Sequence, residues 1–173
     1  MVYGSATLDI AGASTAVTMT GSIEGSGDFI LDGAGQLTVA TNKLFTMEGD
    51  VVLRGGNLYL STADIAKAGI GTAGRLVMAG GKLSTKGETE GYETYSFPMY
   101  VKEGSTSIFA PNRNCYWKST VTGAGNLQLN IPYLREYVQA NFQQFTGRLI
   151  ANGLNSGSNG SLLLFNGKNI PNA

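Results

Sequence analysis

Between Gly27 and Ser84 six short apolar stretches recur in three matched pairs, each introduced by a glycine. They are Asp28-Phe29-Ile30-Leu31 with Gln36-Leu37-Thr38-Val39, Asp50-Val51-Val52-Leu53 with Asn57-Leu58-Tyr59-Leu60, and Arg75-Leu76-Val77-Met78 with Lys82-Leu83-Ser84. The leading glycines are Gly27, Gly35, Gly49, Gly56, Gly74 and Gly81, set 8, 7 and 7 residues apart within the pairs. From pair to pair the first glycines step by 22 and 25 residues and the second by 21 and 25. A fixed period of about 20 to 50 residues marks an array of stacked units. An antiparallel sandwich also brings a strand every 8 to 12 residues or so, but nothing in it calls for a longer super-period. In a parallel β-helix the super-period is obligatory, because each strand pairs with its counterpart one coil on. The pattern predicts an all-β parallel β-helix, a solenoid.

The repeat extends in both directions. Core-facing positions Phe29/Leu37, Val51/Leu58 and Leu76/Leu83 project back to Leu8 and Val17, and forward to Met99 and Ile108, then to Val121 with Leu127 and Leu129. Looser strands follow at Arg148-Leu149-Ile150 and Ser161-Leu162-Leu163-Leu164, giving six or seven coils in one domain over residues 1–173. Apolar and polar residues alternate in Leu8/Ile10, Val17/Met19, Leu37/Val39, Leu58/Leu60 and Leu127/Leu129. Period two means one buried and one solvated face. Glycines in Gly33-Ala34-Gly35, Gly55-Gly56, Gly80-Gly81 and Gly123-Ala124-Gly125 fall where a coil turns, and turns need residues that accept positive φ. They do not read as a phosphate cradle, which needs Lys-Ser/Thr and a helix after its glycines.

Four segments depart from the pattern. Ala63 to Gly69 reads as an insertion, a short helical turn or a bulged loop. At Pro132 to Phe142, the apolar residues Tyr133, Leu134, Tyr137, Val138 and Phe142 form a helical stripe behind a proline suited to a helix start, so one short helix is expected near 132–142. Lys86 to Ser96 and Asn152 to Asn159 read as a polar loop and a turn or hairpin tip.

Composition removes several classes of function. Net charge is zero and charged residues make up 14 % of the chain, against roughly a quarter in ordinary domains. No basic stripe exists to neutralise nucleic-acid phosphates. The chain has no histidine and a single cysteine, Cys115, which leaves no Ser-His-Asp or Cys-His machinery and no internal disulfide. No zinc site, other metal or cofactor is implied. No run of 18 apolar residues is present to form a membrane helix. The first residues lack the basic and apolar regions of a signal peptide and enter repeat-like sequence at once, so the natural protein is expected to extend upstream of Met1.

Two groups of residues can carry chemistry. Asp28, Asp50 and Arg75 occupy one repeat position and are predicted to stack about 4.8 Å apart on the surface. They read as a carboxylate pair beside a cation, as a glycosidase or lyase would use, or, far more simply, as a solvated ladder with a weak salt bridge. The other group is aromatic. Tyr92, Tyr95, Tyr116 and Trp117, with Phe97, Tyr100 and Phe109 nearby, either fill the solenoid core or make a patch that stacks on sugars or on a protein partner. Tyr92, Tyr95, Tyr116 and Trp117 are the candidate ligand-binding residues; no catalytic or metal-binding residue is assigned.

Gly-Ala-Gly-Asn-Leu-Gln-Leu at 123–129, Pro-Tyr-Leu-Arg at 132–135 and Phe-Thr-Gly-Arg-Leu at 145–149 resemble the strand and turn motifs of bacterial surface proteins of the autotransporter-passenger and adhesin-like type. The resemblance implies a right-handed parallel β-helix, an extracellular or outer-surface location in a bacterium, and membership of a longer stalk. The expected function is a structural or adhesive segment that presents loops to glycans or to host and surface proteins, and not an enzyme. The alternative is a non-catalytic or partial module of a β-helix polysaccharide lyase or glycoside hydrolase, which shares the fold. No nucleic-acid partner and no membrane insertion of the segment are expected. Solenoid ends expose unpaired strand edges, which opens a route to end-to-end or edge self-association.

Overall fold

The computed structural model describes residues 4–39, 45–60, 74–86, 93–111, 115–131, 135–154 and 162–165, and the chain there is all strand and turn. Every strand pairing is parallel, and the chain winds as a β-solenoid. Strands are numbered in chain order. The first sheet stacks β1 (Ala6–Ile10), β4 (Phe29–Gly33), β7 (Val51–Leu53), β9 (Leu76–Met78), β12 (Met99–Val101), β15 (Thr120–Gly123) and β18 (Asn141–Phe145). The second stacks β2 (Ala16–Met19), β5 (Gln36–Val39), β8 (Asn57–Leu60), β10 (Lys82–Thr85), β13 (Thr106–Ala110), β16 (Asn126–Ile131) and β19 (Arg148–Gly153).

A third strand completes the coil, and the sequence pattern does not announce it. It forms two shorter sheets, β3 (Ile23–Gly25) with β6 (Phe45–Met47), and β11 (Glu93–Tyr95), β14 (Cys115–Trp117), β17 (Arg135–Val138) and β20 (Leu162–Phe165). All six strands are three or four residues long, and no glycine leads β14 or β17. The glycine signal that marks most strands of the other two faces is therefore missing from these two.

The expected helix near 132–142 is one casualty. Residues 135–138 are β17, paired with β14 so that Tyr116 faces Tyr137 and Trp117 faces Val138, and Asn141–Phe145 is β18. Two consecutive strands joined by a turn gave a chance helical stripe. Stacking on the preceding coil decided the outcome, because each strand finds a ready row of backbone partners there. Residues 132–134, the insertion at 63–69 and most of the polar loop before Glu93 lie outside the described residues, as do residues 155–159 of the turn predicted at 152–159, whose Asn152 and Gly153 end β19.

Register sets what is inside. Leu8, Leu31, Leu53, Met78 and Val101 form one row of the first sheet. Val17, Leu37, Leu58, Leu83, Phe109 and Leu129 form a row of the second. In the interior coils these residues have no more than 2 % of their surface exposed. The sequence projection placed Ile108 in the second row; the structure places Phe109 there and turns Ile108 outward. One residue of slip reverses every side chain in a strand. Ser107 settles the matter: it is buried, and its hydroxyl accepts the Gly80 N–H at 2.8 Å, so its alternate neighbour Phe109 must also point in.

The core changes character along the axis. The early coils are filled by leucine and valine, and the later ones by Tyr95, Phe97, Phe109, Trp117, Phe142 and Phe145. Phe109 meets Trp117 at 5.1 Å between ring centres, and Trp117 meets Phe142 edge-on at 5.4 Å, separations typical of favourable aromatic pairs.

The strand-leading glycines serve close stacking more than turn geometry. Of the six, only Gly56 has a left-handed backbone, φ +60°. A Cβ at Gly74 would strike the Gly49 carbonyl oxygen, and one at Gly49 that of Gly27. Coil backbones lie directly on one another at this corner and leave no room for a methyl group. Positive φ falls instead on the first glycine of three corners, Gly33, Gly80 and Gly123, at +86°, +123° and +100°.

Candidate functional site

The predicted aromatic set does not come together on one surface. Tyr95 and Trp117 are 0 % and 1 % exposed and point into the core. Their strands place them in one inward row with Val138. The Tyr95 hydroxyl is satisfied there by Thr85 at 2.8 Å. Tyr116 is the neighbour in period two and so faces outward, where it stacks on Tyr137 with ring centres 4.9 Å apart and Lys118 lies 5.6 Å above its ring. Tyr92 lies outside the described residues. Of the four, Tyr116 alone is placed at the surface, beside Tyr137, which the sequence reading had assigned to a helix.

The predicted acid ladder is real, and its carboxylates are occupied. Asp28 accepts the Asp50 N–H at 2.8 Å, and Asp50 accepts the Arg75 N–H at 2.8 Å. The Arg75 guanidinium grips both oxygens of Asp50, at 2.8 and 3.3 Å, and lies 5.1 Å over the Tyr100 ring. Each aspartate thus caps the strand start of the next coil, a backbone donor left over at the corner. Partial burial opposes ionisation of Asp50, but the hydrogen bonds from Arg75 and its charge outweigh that and hold the carboxyl below the usual aspartate range. The Asp50 hydrogen bond and charge raise the Arg75 pKa in turn.

A second ladder runs along the far end of the first sheet, where Asp9 and Asp32 share a row and Arg54 follows directly on the paired Leu31 and Leu53. Arg54 donates to Asp32 at 3.3 Å, and Asp32 also accepts the Gly33 N–H at 2.9 Å. The steps from Asp9 to Asp32 and on to Arg54, 23 and 22 residues, carried this signal in the sequence. Among the described residues no group of three or more Cys, Asp or Glu side chains could hold a metal ion.

The outer face of the second sheet is where side chains converge on open space. Its strands alternate, so the residues between the core rows form two outward rows. One contains Gln36, Asn57, Lys82, Ile108, Gln128 and Ile150, and the other Thr38, Tyr59, Ser84, Ala110, Asn130 and Asn152. Carboxamides link the coils at both ends. Asn57 donates to Gln36 at 2.7 Å, Gln36 to Thr38 at 3.0 Å, and Ser84 to Asn57 at 2.7 Å. Farther along, Gln128 and Asn152 both donate to the Asn130 carbonyl oxygen, at 2.7 and 3.1 Å.

Between these two networks β13 contributes only Ile108 and Ala110 to the outward rows. The short Ala110 side chain leaves a depression of about 340 Å³, walled by Tyr59, Lys82, Ser84, Asn57, Asn130 and Leu154. That volume lies at the small end of ligand sites, which span roughly 300 to 1,000 Å³. Each linked amide nitrogen carries two hydrogens and spends one. The Asn130 NH2 group donates to none of the described residues. The depression is thus lined by uncharged donors and acceptors held in fixed positions, one phenol ring and one ammonium group. Sequence reasoning passed over these residues because they read individually as solvated strand positions; the signal was the recurrence of Gln, Asn and Ser in the outward phase of the repeat. Comparison with protein-family models, with curated proteins and with solved structures gives no match to the chain.

Proposed function

We propose that the protein is a structural and adhesive segment of a bacterial cell-surface solenoid, and that the outer face of its second sheet contacts glycans. The amide-lined depression beside Tyr59 carries this reading. A sugar offers hydroxyls that both donate and accept, and an apolar ring face. Carboxamides fixed by their neighbours meet the first at little ordering cost, and a tyrosine ring meets the second. Parallel pairing in every coil gives such a surface rigidity, and the near absence of net charge suits a ligand recognised by hydroxyls more than by ion pairs. The bacterial surface location rests on the resemblance of the strand and turn motifs.

A glycan-array screen of the intact protein tests the proposal, repeated with Tyr59→Ala, with Asn130→Ala and with Tyr116→Ala on the third face. The two groove substitutions are expected to weaken binding about tenfold each, the loss of one stacking or hydrogen-bonding contact. Tyr116→Ala should bind as the parent does. Failure of every glycan to bind above background would overturn the glycan reading, and cleavage of a bound oligosaccharide would favour a module of a polysaccharide-degrading enzyme.

A further inference from the structure

We infer that the groove on the second sheet selects an acidic glycan, one bearing a carboxylate or sulfate group, and that Lys82 is the residue that selects it. The inference rests on the glycan reading and adds the charge of the ligand. Lys82 is the one charged side chain among those that line the depression. Its row neighbours are Asn57 on one side and Ile108 on the other, an amide and an aliphatic chain. It has no acidic partner among the described residues.

The contrast with the arginines of the first sheet gives this weight. Arg54 and Arg75 each stand one coil after an aspartate and are paired with it, at 3.3 and 2.8 Å. The same repeat that supplies those acids supplies none beside Lys82, where the preceding coils carry Gln36 and Asn57. An ammonium group left unpaired next to a cleft of neutral hydrogen-bonding groups is matched by a ligand with many hydroxyls and an isolated negative charge. A polyanion such as nucleic acid needs several cations in line, and the lining residues provide one. Lysine also suits this task as a compact point charge that accepts either acid geometry, where arginine favours planar bidentate partners.

The experiment compares a uronate oligosaccharide with the same oligosaccharide after reduction of its carboxyl groups, by calorimetry on the intact protein at low and at physiological salt. A sulfated oligosaccharide forms a third arm and separates sulfate from carboxylate as the favoured acid. The acidic forms are expected to bind about tenfold more tightly than the reduced form at low salt, the scale of one charge-assisted contact, with the advantage shrinking as salt screens the pair. Lys82→Gln should bring the affinity of the preferred acidic ligand down to that of the reduced one. Lys82→Arg should keep most of the preference, and Lys118→Gln, away from the groove, all of it. Equal affinity for acidic and reduced oligosaccharides, or a preference that survives Lys82→Gln, would overturn the inference and leave the glycan reading standing. Absence of binding to all three would also overturn the inference, and the glycan reading itself falls only if the array shows no binding to any glycan.

Discussion

Substituting Gly49 by alanine should destabilise the solenoid by about 2 kcal/mol, through a collision between coils and not through the backbone of its own turn. Gly49 has no left-handed φ, so alanine can adopt its conformation. The new methyl group, however, would lie 2.5 Å from the Gly27 carbonyl oxygen and 2.6 Å from Asp28 Oδ1, where ordinary contact begins at 3.4 Å. The coils must part by about 0.9 Å to admit it. Two links hold them at this corner: the Asp50 N–H to Asp28 Oδ1 at 2.8 Å, and the Phe29 N–H to the Asp50 carbonyl at 2.9 Å. Stretched by that amount, both pass about 3.6 Å and cease to be hydrogen bonds. Each contributes about 1 kcal/mol. Thermal unfolding followed by circular dichroism should fall by about 4–8 °C for a chain of this length. Gly21→Ala is the control. A Cβ there meets nothing within 4 Å, and φ is again not left-handed. Reduced freedom of the unfolded chain should make that variant more stable by about 0.4–1 kcal/mol. Equal midpoints for the two variants would refute the claim that coil-to-coil contact selects the strand-leading glycines.

The register of β13 predicts that Phe109→Ala costs about 3–5 kcal/mol, the range for emptying an aromatic core site, and that Ile108→Ser stays within about 0.5 kcal/mol; urea denaturation of the two variants tells which residue faces in. Trp117 is the single tryptophan of the chain and is 1 % exposed, so native fluorescence should be blue-shifted and resistant to iodide or acrylamide quenching, and easy quenching would place the ring outside. The Asp50 carboxyl titrates below the ordinary aspartate value of 3.8 in the folded chain. Its contribution is therefore fully present above about pH 4 and lost as pH falls through the lower folded value. The stability gap between the parent and Asp50→Asn, about 1 kcal/mol or less at neutral pH for a partly exposed pair, should close on acidification, and a gap unchanged at pH 2 would contradict the Arg75 pairing.

Two faces of the solenoid were legible because their strands recur with a period near 22 residues and most of them have a leading glycine. The third face was not, since its strands β14 and β17 lack the glycine. Its strands can be found only by carrying the period across from one coil to the next: Tyr95, Trp117 and Val138 lie 22 and 21 residues apart. Missing that face had two consequences. Residues 135–138 read with Phe142 as a helix, and Tyr95 and Trp117 stay open between core packing and a patch shared with Tyr116, although adjacent strand residues must point to opposite sides. The Asp28–Asp50–Arg75 ladder was legible from repeat position alone, down to the neighbours in the row. Its chemistry was not, because the capping of strand-start N–H groups by the carboxylates depends on backbone direction at the corner.

Sequence by itself determined the parallel stacking, the spacing of coils along the chain and the leucine and valine rows of the interior, because a 22-residue period has meaning only when equivalent residues lie on one another. It also removed histidine-dependent chemistry through composition. Tertiary structure decided which of two adjacent residues faces in at β13, where a buried serine fixes the phase, and which aromatics belong to the core. It also decided that Gln36, Asn57, Lys82 and Asn130, between 21 and 94 residues apart in sequence, meet on one surface around the gap above Ala110. Pattern reading weighs each residue against its neighbours in the chain. A groove is formed by the difference in side-chain size between neighbouring coils, and that difference exists only once the coils are stacked.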